Sequence, residues 1–359
     1  MSKAVFQKAT AIVIEKPRHA AIREIRLPEI DDESIVIRTV YSAISTGTEV
    51  KVWNGKTGKL GGELWYPTVP GYEQVGIVEY VGPRACKTAT GETLKPGDRV
   101  MANEVRRYPD YCASWGGQVS LSVKNPKTSS SPFDMPAKIP DEVSFQEAAA
   151  CYLGAVAEKG IRKVGLKAGE TVLMIGLGAV GLSVVQLARL HGVKLIVVDK
   201  SPWRLERAKR FADHALCIDA AHDSLVDAVS GLTNSRMVDV IIDASGDSAV
   251  INNLRRLTRD GGWTLEDDGA RIHLQGDYPE PVCFTPYQEW FNRNLRISMS
   301  CALRPGGKEV LLNLVREGKF DAKALYDKEV ELEDAPKEYA ELERNRATRM
   351  KTLIRWPAV

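Results

Sequence analysis

The chain has 359 residues, enough for two domains of ordinary size. Its 49 Lys and Arg residues almost balance 47 Asp and Glu, and a net charge of +2 gives no electrostatic reason to expect nucleic acid or an anionic membrane as a partner. No segment approaches the run of about 18 apolar residues that a membrane span needs, and none resembles a signal peptide. We therefore expect a cytoplasmic protein whose six cysteines are free thiols.

The segment up to about residue 155 is predicted to be rich in strands and poor in helices. Its β-branched and alternating runs, separated by Pro and Gly, predict strands at Ala11–Glu15, Ser34–Val40 and Val75–Val81. The first clear helix is predicted to open at Ser144, because Glu147 follows three residues later in a capping-box pattern.

From about Gly169 the pattern changes to short apolar strands that alternate with helices. The predicted elements are strand Val172–Ile175, helix Ala179–Leu190, strand Leu195–Val198, helix Pro202–Ala212, strand Val238–Ile242, helix Ala249–Leu257 and strand Arg271–Leu274. Repeated strand–helix units with continuous apolar strands favour an α/β fold with a doubly wound parallel sheet. Beyond about residue 305 we expect one helix, Lys308–Glu317, and a closing strand-like segment, Thr352–Trp356.

A glycine-rich motif, Gly176-Leu-Gly-Ala-Val-Gly181, follows a predicted strand and opens a predicted helix. In that context Gly176 permits a tight turn, Gly178 lets the backbone approach a pyrophosphate, and Gly181 lets the helix pack closely on its strand. Ala179 and Val180 complete the helix N-terminus, whose free N–H groups attract phosphate. The motif predicts a dinucleotide site; an ordinary glycine-rich turn is the alternative.

Asp199 ends the next predicted strand, where an acid should bind the adenosine ribose hydroxyls. Its charge would repel the 2′-phosphate of NADP, which favours NAD as the cofactor, although Lys200 and Arg204 could reach a phosphate. Ser245 and Gly246 follow a later strand of the same sheet and are expected near the bound cofactor, or else in a plain turn.

The whole chain resembles the medium-chain dehydrogenase/reductase superfamily. The resemblance rests on the glycine motif and on Pro70-Gly-Tyr-Glu-Gln-Val-Gly76, Lys95-Pro-Gly-Asp-Arg-Val100 and Leu166-Lys-Ala-Gly-Glu-Thr-Val172, which occur in the family's order. It implies a GroES-like, β-rich substrate domain at residues 1–155, a Rossmann NAD-binding domain at 156–305, and a return to the first domain at 306–359. It also implies a substrate cleft between the domains.

Zinc-dependent members of this superfamily carry a Cys-Gly-Thr-Asp motif and a Gly-His-Glu motif that supply metal ligands. Here the first motif is Thr46-Gly47-Thr48-Glu49 and the second is Gly71-Tyr72-Glu73. Cys151 lies near the position of the third ligand, and Glu73 is a conceivable oxygen ligand. Because zinc prefers three His or Cys ligands, we expect no metal.

Within the superfamily, Ile44-Ser-Thr-Gly-Thr-Glu49 is similar to the zinc-lacking subgroup that includes bacteriochlorophyllide a dehydrogenase. That resemblance implies oxidation of a secondary hydroxyethyl group on a tetrapyrrole with NAD. The chain has additional segments, Lys127–Met135 and Trp263–Ala270, so a sugar, cyclitol or polyol substrate is an equal alternative.

Without zinc, hydrogen-bond donors must stabilise the developing alkoxide. Tyr72, Thr46 and Thr48 occupy the matching positions, so we hypothesise that Thr48 relays the proton and that Tyr72 donates to the substrate oxygen or takes its proton. Glu49 and Glu73 would orient this group and shift its pKa. The alternative is that Tyr72 packs in the core and Glu73 only neutralises a nearby Arg.

The sequence leaves three functions open and predicts one mode of association. The leading function is an NAD-dependent secondary-alcohol dehydrogenase acting on a small hydroxyl or carbonyl substrate. The alternatives are an NADPH-dependent enone or quinone reductase and a non-catalytic dinucleotide-binding protein. Arg296–Ser300 reads as a late strand at the sheet edge, and the family commonly pairs this edge across a twofold axis, so we expect a homodimer.

Overall fold

The computed structural model describes residues 6–56, 64–102, 107–126, 135–262, 269–278 and 280–358. The additional segments around residues 127–134 and 263–268 therefore lie outside the described residues. The chain divides into two compact units, one formed by Met1–Ala155 together with Arg304–Val359 and the other by Val156–Leu303.

The first 164 residues contribute mostly short strands. Their elements are β1 (Lys8–Lys16), β2 (His19–Arg26), β3 (Ile35–Ser45), α1 (Thr48–Asn54), β4 (Thr68–Val69), β5 (Gln74–Val81), β6 (Arg99–Met101), β7 (Cys112–Ala113), β8 (Leu121–Lys124), β9 (Ala137–Lys138), α2 (Phe145–Ala150) and α3 (Tyr152–Val164). Helix α2 begins with the predicted capping box, in which the Ser144 side chain and the Glu147 backbone and side chain satisfy each other. Helix α1 was not predicted, but as the one helix among the described residues before Ser144 it agrees with the expectation of few helices there.

The second unit contains the alternating strand–helix pattern. Its further elements are β10 (Thr171–Ile175), α4 (Ala179–Arg189), β11 (Lys194–Asp199), α5 (Pro202–Ala208), β12 (His214–Cys217), α6 (Ser224–Leu232), β13 (Val240–Asp243), α7 (Ser248–Leu257), β14 (Arg271–Leu274), α8 (Tyr287–Phe291) and β15 (Arg296–Met299). The strands pair in parallel in the order β12-β11-β10-β13-β14-β15. This order reverses direction at β10, which is the arrangement of a doubly wound dinucleotide-binding sheet. The predicted fold class is confirmed.

The last segment returns to the first unit. It forms α9 (Gly307–Arg316), β16 (Lys328–Glu331), α10 (Ala335–Arg344) and β17 (Lys351–Arg355). Strand β17 pairs antiparallel with β3, so that the C-terminal residues extend the sheet β16-β17-β3-β5-β6-β9. Helix α10 corrects the prediction of a single helix in this region.

Each unit has its own buried apolar core. In the second unit, side chains of the parallel strands pack against α6 and α7, as with Ile241, Leu225 and Leu254. In the first unit, Ile44, Tyr339 and Ile354 belong to one cluster that joins β3, α10 and β17. Within the described part of the chain, no helix is long and apolar enough to span a membrane.

Candidate functional site

The three glycines of the turn between β10 and α4 are required for three different reasons. Gly176 has φ of 84°, and a Cβ there would lie 2.7 Å from the Ser245 backbone. A Cβ on Gly181 would overlap the carbonyl oxygen of Gly176. A Cβ on Gly178, by contrast, would meet no atom of the described residues within 4 Å, so this position is open among them. The turn is therefore closed by two glycines and open at the third, where a phosphate could approach the backbone.

Helix α4 begins next to this open position. Gly178 is its N-cap and makes no side-chain cap, while Ala179 is buried and Val180 is half-buried. Since the first N–H groups of a helix have no partner within the helix, they are available to an anion. These features give the turn the donor set that a diphosphate requires.

Asp199 at the end of β11 holds this turn in place. Its Oδ2 accepts a hydrogen bond from the Leu177 N–H at 2.7 Å, and its Oδ1 accepts one from the Ser201 N–H at 2.8 Å. The Arg204 guanidinium lies 3.9 Å from Oδ2, and Lys200 points to Asp219 at 3.8 Å. Each carboxylate oxygen can accept a second bond, so Asp199 can still receive ribose hydroxyls.

The neighbouring strand β13 ends in a second polar turn. The Asp243 carboxylate accepts from the Ser245 N–H at 2.8 Å and from the Tyr278 hydroxyl at 2.8 Å. Burial raises the pKa of Asp243, although these bonds oppose the shift. Gly246 has φ of 67° and would bring a Cβ within 2.9 Å of the Asp277 carbonyl oxygen. The structure thus brings Ser245 and Gly246 to the same sheet edge as Gly176.

Tyr72 lies in the first unit and is 4% exposed. Its ring packs edge-on against Trp115, with ring centroids 5.4 Å apart, and at a tilt of 39° against Tyr152, with centroids 5.0 Å apart. Its hydroxyl is 2.5 Å from the Ser45 hydroxyl. Burial and the nearby Glu73 and Glu49 carboxylates raise the pKa of Tyr72 well above its usual value. A tyrosinate is therefore disfavoured here, which favours the donor role over the proton-accepting role among the two that the sequence leaves open.

Glu73 is fully buried and forms an ion pair with Lys351, which is also fully buried. The Lys351 Nζ lies 2.5 Å from Glu73 Oε1 and donates to the Ala150 carbonyl oxygen at 3.1 Å. Burial raises the pKa of Glu73, and the ammonium opposes that shift. The expected orienting contact from Glu73 to Tyr72 is replaced by this pair, and the neutralising cation is a lysine rather than an arginine.

Glu49 is the second buried carboxylate of this region. It accepts from the Ser45 N–H at 2.8 Å and from the Gln118 side-chain amide at 3.3 Å. Burial and the Glu73 charge raise the pKa of Glu49 to about 8. Glu49 is therefore mainly neutral at pH 7 and influences Tyr72 through Ser45 rather than by direct contact.

The two threonines lie where β3 passes into α1. Thr46 is buried, and Thr48 is half-buried as the first residue of the helix. Among the described residues neither hydroxyl makes a hydrogen bond. The structure does not link Thr48 to Tyr72, so the relay between them remains a hypothesis.

The comparison with known protein families finds one matching stretch in each of the two units. Residues 31–128 match the family model of the alcohol dehydrogenase GroES-like domain, and residues 179–265 match that of the zinc-binding dehydrogenases. The probable D-xylulose reductase A of Arthroderma otae is 27% identical over 97% of this chain and 97% of its own length.

Several solved structures of dehydrogenases share the fold of this chain. The 2R,3R-butanediol dehydrogenase of Bacillus subtilis superposes with a TM-score of 0.79 at 20% identity, over 98% of this chain and 100% of that one. An alcohol dehydrogenase of Escherichia coli in complex with NADH has a TM-score of 0.78 at 22% identity, over 97% and 99% of the two chains. The chain belongs to the medium-chain dehydrogenase/reductase superfamily. The predicted superfamily, with its GroES-like and Rossmann parts, and the class of oxidoreductase are confirmed.

Membership raises the question of zinc, and the donor groups of this chain do not fit that ion. Thr46 and Tyr72 offer neutral hydroxyls, and burial raises the pKa of the Cys151 thiol to about 12, whereas zinc binds a thiolate. Glu73 already binds the Lys351 ammonium. Among the described residues, no group of three or more His, Cys, Asp and Glu side chains is arranged to hold a metal.

The sequence reading missed Lys351, Ser45 and Gln118. Lys351 reaches Glu73 because β17 pairs with β3 in the register that places Lys351 opposite Ser45. A lysine inside an apolar strand segment, Met350–Ile354, was the signal that could have pointed to a buried partner, since an unpaired buried ammonium is unfavourable.

Proposed function

We propose that this chain interconverts a secondary alcohol and its ketone with NAD and without a metal ion, and that its substrate is a sugar, cyclitol or polyol. The observation that carries the proposal is the turn of Gly176, Gly178 and Gly181 with Asp199 behind it, which offers a diphosphate site beside a ribose acceptor. Two similar proteins, a probable D-xylulose reductase and a butanediol dehydrogenase, support the substrate class. A hydroxyethyl-tetrapyrrole is the alternative substrate.

NAD is favoured over NADP because Asp199 is a fixed carboxylate at the ribose position. Its two oxygens are oriented by the Leu177 and Ser201 N–H groups, and each oxygen retains a further acceptor position. Hydroxyls can donate to them, whereas a 2′-phosphate would meet like charge. The half-buried Arg204 is partly compensated by the same carboxylate.

Bound NAD would accept the hydride from the carbinol carbon, and the hydroxyl proton must leave separately. Because the pKa of Tyr72 is raised, we assign this residue the role of donor: with Ser45 donating to Tyr72, the phenol proton is available to the substrate oxygen. Thr48 is proposed to relay the hydroxyl proton, taking it up while passing its own proton to solvent, and Thr46 is proposed as a further hydrogen-bond donor to the substrate oxygen. Glu49 and Glu73 set the charge around Tyr72.

Metal independence is proposed because a buried ammonium already occupies this region. Lys351 joins Glu73 to the carbonyl of Ala150, next to Cys151, and lies opposite Ser45 in the sheet. It therefore ties together the three chain segments that carry Thr46, Tyr72 and Cys151. A further divalent cation would have to compete with the ammonium for Glu73.

The test is turnover of a panel of polyols with NAD by the parent protein and by Tyr72→Phe. Loss of one donor to a developing oxyanion lowers kcat by about 100-fold or more. Tyr108→Phe is the matched control, since Tyr108 is also buried in this unit and donates to the Gly116 carbonyl at 2.6 Å. If both Tyr72→Phe and Tyr108→Phe keep kcat within a few-fold of the parent value, Tyr72 is not the donor to the substrate oxygen.

We further propose a homodimer formed through β15. This strand is at the edge of the parallel sheet, and its Met299 side chain is 56% exposed, with Ile297 at 38%. An exposed apolar edge strand favours pairing with a second copy. Sedimentation at micromolar concentration should give twice the chain mass, and Met299→Lys should give a monomer; a parent protein that sediments as a monomer rules the dimer out.

A further inference from the structure

A buried amide donor lies unused at the carboxyl end of β14. Gln275 is the first residue after that strand and is 7% exposed. Its Nε2 atom is buried and has no hydrogen-bond partner. Buried donors in native proteins are nearly always paired, so an unpaired one calls for an explanation such as a ligand or a water.

The other end of the same amide is firmly held. Gln275 Oε1 lies 3.1 Å from His273 Nε2 and accepts from the Ser300 hydroxyl at 3.3 Å. His273 Nδ1 is 2.8 Å from the Ser298 hydroxyl, and burial lowers the pKa of His273, which keeps the ring neutral. The network is satisfied when Nε2 of His273 carries the proton and donates to Gln275. That arrangement leaves the amide nitrogen directed away from the cluster.

Space on one side of Gln275 is limited by α3. A Cβ at Gly160 would overlap Gln275 Oε1 and would lie 3.1 Å from His273 Nε2. The amide oxygen is therefore held against the helix, and the side chain cannot move further toward α3.

The order of the strands indicates which ligand group would reach this nitrogen. Asp199 ends β11 on one side of the glycine turn after β10, and Gln275 follows β14 on the other side, two strands away. At about 4.8 Å per strand this is about 10 Å. A dinucleotide with its diphosphate at the turn and its adenosine at Asp199 extends its second nucleoside toward β13 and β14.

The intervening strand ends are in close contact, so nothing described separates the turn from Gln275. A Cβ at Gly176 would lie 2.7 Å from Ser245, and a Cβ at Gly276 would lie 2.9 Å from the Gly246 nitrogen. The three turns thus form one continuous backbone surface. Gln275 lies at the far end of this surface, on the side toward which the nicotinamide half of a bound dinucleotide would extend.

We propose that the Gln275 side-chain N–H binds the carboxamide oxygen of the nicotinamide ring, with His273 and Ser300 holding the amide in that orientation. This assignment rests on the proposed function, because it requires a nicotinamide dinucleotide in the turn. Gln275 would then position the ring that exchanges hydride, while the glycine turn and Asp199 bind the other half.

The test compares NAD with ADP-ribose, which has the adenosine, diphosphate and second ribose but no nicotinamide. Calorimetry on Gln275→Met, which has a similar length and no donor, should give a Kd for NAD about 10-fold higher than that of the parent, as expected for one lost hydrogen bond. The Kd for ADP-ribose should stay within about 2-fold. Gly178→Ala is the contrasting variant and should weaken both ligands alike.

Three outcomes are decisive. Equal loss for NAD and ADP-ribose in Gln275→Met, or no loss for either, overturns the assignment and leaves the dinucleotide site intact. No binding of either ligand to the parent protein overturns the proposed function itself. If Gln275→Met does not fold, Gln275→Asn replaces it, because the shorter amide cannot hold the His273 contact and reach the ring together; it should show the same selective loss.

Discussion

The glycine turn after β10 and the buried cluster of Tyr72, Glu73 and Lys351 are built in opposite ways. The turn is made of backbone atoms from neighbouring residues, closed by Gly176 and Gly181 and open at Gly178. The cluster is made of side chains, and its central ion pair joins residues 278 positions apart. A site made from local backbone can be read from a motif, whereas one assembled by strand register cannot.

The largest expected effect is a loss of folding stability when the cation of the buried ion pair is removed. Lys351→Met leaves the buried Glu73 carboxylate without its cation, and we expect the free energy of unfolding to fall by about 3–5 kcal/mol in urea titrations. The double variant Lys351→Met/Glu73→Gln should recover most of the loss. Lys328→Met is the control: Lys328 lies 2.5 Å from Glu338 but is 44% exposed, so its loss should change stability by less than about 1 kcal/mol. Equal losses in the two lysine variants would contradict a special role for the buried pair.

Stability should also depend on pH through Glu49. Its pKa is about 8 in the folded chain against an ordinary value of 4.5, so the folded state binds one more proton between these values. The free energy of unfolding should therefore fall as pH rises from about 5 to 8, by a few kcal/mol at most.

Glu49→Gln removes this titration, and its unfolding free energy should be flatter over the same range. Denaturant titrations of both proteins at four pH values give the difference directly. Parallel pH profiles for the parent and Glu49→Gln would show that Glu49 is ionised in the folded protein.

The open position of the glycine turn offers a selective test of binding. Gly178→Ala adds a methyl where the protein leaves space, so Tm should be unchanged, but a diphosphate should be displaced and the Kd for NAD should rise by about 10–100-fold. Gly231→Ala is matched, since a Cβ there also meets nothing within 4 Å, and it should leave Kd unchanged. If Gly178→Ala binds NAD like Gly231→Ala, the turn does not hold the phosphates.

Asp199→Asn gives the smallest expected effect. Loss of the charge should raise the Kd for NAD by about 10-fold. It should also reduce the preference of the protein for NAD over NADP, measured as the ratio of the two dissociation constants. Asp219→Asn is the control, because Asp219 is an exposed carboxylate near Lys200. An unchanged ratio of the two dissociation constants in Asp199→Asn would remove this residue from cofactor selection.

The sequence predicted five of the six strands of the parallel sheet and the cofactor turn, because those elements carry local signals, but it did not predict β12, α6 or α8. Strand Arg271–Leu274 was predicted with the observed bounds, and the capping box at Ser144 was found. Helices α1 and α10 were missed. Helix α1 is only seven residues long, and α10 lies in a strongly charged segment in which Tyr339 and Leu342 alone mark the buried face.

For the candidate catalytic residues, the motifs predicted which residues to consider but not their hydrogen-bond and ion-pair partners. Tyr72, Glu73, Thr46 and Glu49 lie in the same unit, yet Tyr72 bonds to Ser45 and Glu73 to Lys351. Ser45 is adjacent to the motif and lies in the segment Ile44–Glu49 that carries the resemblance to the zinc-lacking subgroup, but no contact was predicted for it. Lys351 could not be paired with Glu73 without the register of β17 on β3.

The central claim of the proposed function is that this chain carries out dehydrogenase chemistry with NAD and without a metal ion. The most direct measurement is the zinc content of the purified protein together with its NAD-dependent polyol oxidation before and after dialysis against a chelator. We predict far less than one zinc per chain and no loss of rate on chelation. One zinc per chain, with activity that is lost on its removal and restored on its return, would contradict the account.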